Sequence, residues 1–344
     1  PALARMVRGC ATAAADEAEF VRRLRRDGLL VRPRYAAGRD DVIAGYSVAL
    51  RPPTNGTGEE RPVWYGGGHL DRDLTLPRLR QGWPDTPISA SEAVAEWNAG
   101  RRGTRAVAPG RETTEPAPEL WQQYSREVAA LRERLRAVPV EDRATWAHVA
   151  HDTAGAFAAW SVRVEPVPGP LAATADSLAR SAQLRAYEAC AGGATVTARS
   201  SSSFKGAALL LSSIAQGGKG TVAQAVLLRQ LANMAKAIHD AHQAAGEAGR
   251  AAQIAAAVRT QLRSLEASLP ALVPAGGHAT DTNTGSSRGR TGAPEHEAAW
   301  LARTGQVPVE TSPPEAPGSA VPRPVRAVDP QWGLTRRTAS EVER

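Results

Sequence analysis

Apolar residues in the first third of the chain recur first at helical and then at extended spacing, which predicts a small α+β module over residues 1–105. Phe20, Val21 and Leu24 share one face of a predicted helix, and Gly28 suits the left-handed end of that helix. β-branched and aromatic residues then predict strands, and two short helices are expected to complete the module. The apolar run at residues 29–33 leads into an extended segment, and strands are predicted at residues 42–50 and 62–65. The short helices cover residues 74–82 and 89–99.

Helical spacing dominates the middle of the chain. Residues 106–118 are rich in Pro, Thr and Glu, which predicts a linker. From residue 119 to 268, apolar stripes at intervals of three and four residues predict an antiparallel helical bundle. Residues 269–344 have too little apolar surface to offset chain entropy, so a mostly disordered tail is expected, with one short helix near residues 295–303. The predicted fold is therefore mainly α, with a small N-terminal α+β module.

Composition and charge indicate a compartment more clearly than a function. The 344 residues have a formal net charge of +7 and a pI near 10.0, and the positive charge is almost entirely arginine, a bias that GC-rich genomes also produce. Such charge favours a polyanionic partner only weakly. Cys10 and Cys190 are isolated, which predicts neither a disulfide framework nor a cysteine metal site. The absence of a secretion signal and of a long apolar stretch predicts a cytoplasmic protein with no membrane span, and the start at Pro1 favours a fragment.

Two histidine clusters are candidates for a metal site, and both have a simpler interpretation. His148 and His151 are three residues apart beside Asp152, but no third ligand is evident. Their side of the helix lies opposite the apolar stripe and is expected to face solvent. The second cluster consists of His239, Asp240 and His242, and it meets the same objection. No metal site is predicted.

Two glycine-rich stretches are candidates for phosphate-binding loops. Residues 217–221 depart from the phosphate-loop pattern, because Ser213 replaces its first Gly and Gly220 follows Lys219 in place of Ser or Thr. An interhelical turn is the favoured interpretation. Residues 66–68 can approach a phosphate, but a turn that ends a strand explains them equally well. No catalytic residue, cofactor or small-molecule ligand is predicted.

The densest positive patch covers the first predicted amphipathic helix and the segment after it. The candidate DNA-binding residues are Arg22, Arg23, Arg25, Arg26, Arg32 and Arg34. They can follow a DNA backbone, because a guanidinium group binds phosphate oxygens in a bidentate manner. They can equally form an ordinary solvated helix face balanced by Glu19. The aromatic residues nearby either stack on single-stranded bases or fill the core of a small sheet. These residues are Tyr35, Tyr46, Trp64 and Tyr65.

Several segments, taken in order, resemble the region that follows the nuclease domain in MobA/VirD2-like relaxases. The shared shape is a helix, a strand that begins Gly45-Tyr-Ser, and a glycine-rich turn before another helix. The amino-acid sequence of these segments is most similar to that of the mobilisation relaxases of Streptomyces and its relatives. The matching segments are residues 16–34, 45–50, 64–70, 73–79, 142–155 and 220–231, so that the resemblance covers about residues 10 to 265.

The resemblance implies a role in plasmid DNA transfer. In that family a tyrosine attacks one DNA strand with help from a metal held by histidines, and both belong to the preceding domain. No counterpart of either is found in this chain, so no catalytic residue is transferred. The implied role is DNA contact and docking of partners such as the secretion or coupling proteins of conjugation. A helical protein-interaction protein with no DNA role is the alternative, and an intact enzyme with an unfamiliar site is a third.

Overall fold

The computed structural model describes residues 1–52, 61–183, 197–214 and 221–257, with side chains described from residue 202 onward in the third range. Within these ranges the protein is mostly helical and has a small three-stranded antiparallel sheet near its N-terminus, which confirms the predicted fold class. Several predictions lie outside the described residues. They concern Cys190, the stretch of residues 217–220, the end of the bundle after residue 257, and the tail with its helix near residues 295–303.

The N-terminal region alternates helices with the strands of the sheet. Its elements are α1 (Ala2–Ala13), α2 (Glu17–Arg26), β1 (Leu29–Tyr35), β2 (Ile43–Leu50), β3 (Tyr65–Gly66), α3 (Gly67–Leu70), α4 (Leu76–Arg80) and α5 (Pro87–Arg102). β2 lies between β1 and β3 and is antiparallel to both. Of the strand expected at residues 62–65, only Tyr65 lies in β3, which ends at Gly66.

The described part of the second region consists of helices and the segments that connect them. Its helices are α6 (Glu119–Leu135), α7 (Arg143–Val164), α8 (Pro170–Ser181), α9 (Thr197–Ser213), α10 (Val222–Ala244) and α11 (Ala248–Ala256). Among the described helices none is both long and apolar enough to cross a membrane.

Local sequence signals explain where α2 begins and ends. The Asp16 carboxylate accepts a hydrogen bond of 2.7 Å from the backbone N–H of Glu19, which satisfies one of the unpaired donors at the start of the helix. Gly28 follows α2 with a φ of 85°, a left-handed conformation that costs glycine little. The reversal after Gly28 leads the chain directly into β1.

An aromatic cluster forms the core beneath the sheet. Phe20 of α2 is fully buried, and its ring centroid lies 5.3 Å from that of Trp83, 5.6 Å from that of Tyr46 and 6.3 Å from that of Trp97. The Tyr46 hydroxyl donates a 2.7 Å hydrogen bond to the carbonyl oxygen of Leu74. Tyr46 thus fills the core of the sheet, which is one of the two roles expected for it.

Helix α7 lies at the centre of the helical region. It packs against α1, α8, α9 and α10, and most of its residues are buried, at positions all around the helix. Its many alanines allow this, since small side chains let several helices approach at once. The expected solvent-facing side of α7 is therefore largely covered by other helices.

Helix α1 belongs to both regions. A Cβ atom on Gly9 would lie 2.8 Å from the backbone N and Cα atoms of Ala159, and Gly155 of α7 faces Thr12 with as little room. The two helices thus touch through their backbones, an approach that glycine makes possible. The described residues on both sides of the expected linker belong to one compact unit.

Candidate nucleic-acid interface

Three of the six candidate arginines are engaged inside the protein. Arg23 is 4% exposed, its Nε donates to Glu19 at 2.8 Å and its Nη1 donates to Ser212 of α9 at 2.9 Å. The Nε of Arg22 donates to Glu112 at 2.8 Å, and the Arg22 side chain is 10% exposed. Arg25 donates to the carbonyl oxygen of Thr104 and is 20% exposed. Arg22, Arg23 and Arg25 thus form a packed surface of α2 rather than a solvated one.

Buried carboxylates attach the segment after α5 to α2. One oxygen of Glu96 accepts hydrogen bonds of 2.9 Å from the backbone N–H groups of Val107 and Ala108. Glu112 accepts from the backbone N–H of Gly110 at 2.9 Å and from Arg22. Burial alone would raise the pKa of Glu112, but these donors lower it. Residues 106–118, the predicted linker, are thus held against α2 by charge-assisted hydrogen bonds.

A second polar cluster joins α1, α2 and α7. Arg163 of α7 donates to Asp27 at 2.6 Å, and the Cys10 thiol donates to the same carboxylate at 3.3 Å. Burial raises the pKa of Cys10 well above its usual value, and the charge of Asp27 raises it further. The thiol therefore stays protonated and unreactive at neutral pH.

The other three candidate arginines are exposed. Arg26 ends α2 and donates to the carbonyl oxygen of Glu112. Arg32 and Arg34 lie on β1, where the alternating residues Leu29, Val31 and Pro33 are buried against the core. Successive side chains of a strand point to opposite faces, so Arg32 and Arg34 project from the face turned away from the aromatic core. This face is called the outer face below.

The middle strand presents small residues on the outer face. Arg32 pairs with Ser47 and Arg34 pairs with Gly45 in the register of β1 and β2. The guanidinium of Arg34 lies over Gly45, where a Cβ atom would be 2.9 Å from its Nη2. The guanidinium carbon of Arg32 lies 4.2 Å from the centroid of the Trp64 ring, which is a cation–π geometry.

The aromatic residues near the patch divide between core and surface. The Tyr35 hydroxyl donates a 2.5 Å hydrogen bond to Asn98, and the Tyr35 ring centroid lies 5.8 Å from the guanidinium carbon of Arg101. Tyr65, in contrast, is 45% exposed. Trp64 is partly buried beneath Arg32. The pairing of Arg32 with Trp64 had no signal in the sequence, because it depends on the register of three strands.

The histidine clusters take part in ion pairs. His151 Nδ1 lies 2.7 Å from Asp73 in the N-terminal region, and Arg8 of α1 donates to both Asp71 and Asp73, at 2.7 and 2.9 Å. The solvent exposure expected for His148 and His151 is found only in part, because their side chains are 32% and 28% exposed and each lies against a carboxylate. His242 Nδ1 lies 2.6 Å from Glu247. Within the described ranges, no three His, Cys, Asp or Glu side chains converge as a metal site would require.

The charges of this cluster shift two pKa values. Burial alone would lower the pKa of His151, but its hydrogen bond to Asp73 and the nearby carboxylates raise it above the usual value. Burial alone would raise the pKa of Asp73, but His151 and Arg8 hold it far below its usual range. The cluster thus keeps a charged pair between the N-terminal region and α7 at mildly acidic pH.

We expect His151→Gln to remove a pH-dependent part of the stability. The raised pKa of His151 contributes stability that is fully present below about pH 6.5 and is lost as the pH rises through the folded-state pKa. The lowered pKa of Asp73 contributes stability above about pH 4. The difference in free energy of unfolding between the native protein and the variant should be largest between these limits and should shrink toward pH 8. Urea unfolding at each pH measures it, and a difference that stays constant from pH 5 to 8 contradicts the assignment.

The glycines after β3 serve packing. Gly66 ends β3, and Gly67 begins α3 against the carbonyl oxygen of Leu74 and the ring of Tyr46, so a side chain has no room there. The turn that ends a strand is thus the better of the two interpretations of residues 66–68. A close approach of backbone to core explains the glycine without a phosphate.

No protein-family model, no curated protein and no solved structure matches this chain.

Proposed function

We propose that this chain is the non-catalytic portion of a conjugative or mobilisation relaxase, which acts in the cytoplasm by contacting plasmid DNA and docking partner proteins of the transfer machinery. The matching segments within residues 16–79 and 142–231 support this, because they follow one another in the same order as in relaxases. The observation that carries the DNA role is the outer face of the sheet, from which Arg32 and Arg34 project. The proposal assigns no nicking chemistry to any residue of the chain.

The charge of the sheet suits a polyanion. Arg32 and Arg34 are exposed, and the three strands contain no acidic residue that would neutralise them. Their guanidinium groups can each meet phosphate oxygens through two N–H donors. Release of counterions from the DNA then makes the affinity depend strongly on salt.

Fluorescence anisotropy with a labelled DNA duplex across a salt series tests this role. We expect binding that weakens steeply as salt increases. The Arg32→Ala/Arg34→Ala variant should bind about tenfold more weakly, and its salt slope should fall by about 0.9 for each phosphate that it no longer neutralises. The matched control is Arg126→Ala/Arg134→Ala, which removes the same charge from exposed positions on α6.

The control separates a site from a general effect of charge. Equal losses of affinity in both variants would show that the net charge, and not the outer face, determines DNA binding. No binding by the native chain at low salt would exclude DNA contact.

One observation favours the alternative of a helical interaction protein without a DNA role. Arg22, Arg23 and Arg25 have their guanidinium groups turned into the protein, where they stabilise its packing. Half of the candidate patch therefore has a structural use. If the chain does not bind DNA, the exposed arginines serve only to keep the protein solvated. The helical region would then remain as a docking surface.

A further inference from the structure

We propose that the outer face of the sheet holds a base-stacking site for single-stranded DNA, in which an unpaired base lies on the guanidinium of Arg32. This inference rests on the proposed DNA contact and specifies the state of the strand that is bound. It starts from the Arg32–Trp64 pair, which the aromatic core and the ion-pair network do not use.

The pair is built across the middle strand. Arg32 belongs to β1, and Trp64 directly precedes β3, so the Arg32 side chain crosses β2 to reach the ring. Two strand spacings amount to about 10 Å, a distance that a long side chain can bridge only over small neighbours. Ser47, which is opposite Arg32, provides that space.

The Arg32 guanidinium is a planar cation at the protein surface. Its carbon lies 4.2 Å from the centroid of the Trp64 ring and the residue as a whole is exposed, so a base would lie on the side of the plane away from the ring. Contact with the ring restricts the orientation of the plane before any ligand arrives, which lowers the entropic cost of binding. Unpaired bases stack on guanidinium planes as well as on aromatic rings.

The surroundings favour a single strand over a duplex. The Arg34 guanidinium lies over Gly45 on the same face, where it can contact the phosphate next to the stacked base. Gly45 and Ser47 raise no large side chain between the two arginines. A duplex keeps its bases stacked inside the helix and offers this surface only phosphates, so the planar part of the site would stay unused.

The test uses a substitution that keeps the charge and removes the plane. Arg32→Lys and the native chain are compared by anisotropy on a labelled single strand and on a duplex of the same length, at one salt concentration. We expect the native chain to bind the single strand more tightly, and we expect Arg32→Lys to bind the single strand about tenfold more weakly and the duplex less than about twofold more weakly. Arg126→Lys on α6 is the matched control and should change neither.

A second variant tests the support beneath the plane. Trp64→Ala should weaken single-strand binding in the same way, while Tyr65→Ala, which removes the neighbouring exposed aromatic from the opposite side of the strand, should not. Circular dichroism of each variant establishes that it is folded. If Trp64→Ala is not folded, the result for Arg32→Lys alone decides whether the stacking site exists.

The results distinguish this inference from the proposed function. Duplex binding that depends on Arg32 and Arg34, together with an Arg32→Lys variant that binds single strands normally, overturns the stacking site and leaves DNA contact intact. Failure of the native chain to bind either kind of DNA overturns both. Tighter binding to an RNA strand of the same sequence would overturn the assignment of DNA as the ligand.

Discussion

Arg8→Ala should lower the free energy of unfolding by about 1–3 kcal/mol, because it removes a buried guanidinium and leaves two partly buried carboxylates without their counter-ion. The Arg8 side chain is 3% exposed and donates to Asp71 and Asp73, while His151 also contacts Asp73. Removing the guanidinium leaves the two carboxylates near each other with His151 as a charged partner of Asp73 and only uncharged donors, from Gln183 and the backbone of Arg72, to Asp71. Urea unfolding followed by circular dichroism at pH 7 measures the loss of stability.

An exposed ion pair supplies the control for this prediction. Arg39 and Asp41 lie 2.6 Å apart but are 58% and 60% exposed, so Arg39→Ala should change the free energy of unfolding very little. The two arginine substitutions differ mainly in burial. Similar, small effects of both would mean that the Arg8 cluster does not stabilise the packing of α1 against α7.

Gly9→Ala should destabilise the protein by about 1–3 kcal/mol, although alanine normally strengthens a helix. The new Cβ would lie 2.8 Å from the backbone of Ala159, which cannot rotate away as a side chain can. Helix α1 would have to move off α7, and its apolar side would then pack less closely along its length. Thermal and urea unfolding of the variant give the size of the effect.

Gly249→Ala is the matched control for the glycine substitution. Gly249 lies in α11, and no atom of the described residues outside its own helix backbone lies within 4 Å of its Cβ position, so alanine there should be neutral or stabilising by up to about 1 kcal/mol. The opposite signs of the two substitutions test the backbone contact. A Gly9→Ala variant as stable as the native protein would refute that contact.

Periodicity along the chain was sufficient to predict the elements near α2. Phe20, Val21 and Leu24 are fully buried as the helical spacing indicates, and Gly28 ends the helix in a left-handed conformation. The strand expected over residues 42–50 is present as β2. These features depend on neighbours within a few residues, which is why the local pattern was enough.

Which arginines are buried could not be predicted from the local sequence in the same way. A helical projection cannot show that α9 supplies Ser212, 189 positions later, to receive the Arg23 guanidinium. The same holds for His151, whose partner Asp73 comes from the other region of the fold. Contacts between residues distant in sequence decided which charges are buried.

The backbone contact between α1 and α7 has a consequence for how the chain is made. Helix α1 leaves the ribosome long before its binding surface on α7 has been synthesised, and the Arg5–Asp176 pair spans 171 positions. Such high contact order slows folding and leaves early segments exposed while synthesis continues. We therefore expect α1 to reach its final place late, only after α7 and α8 have been synthesised, and to need protection from aggregation until then.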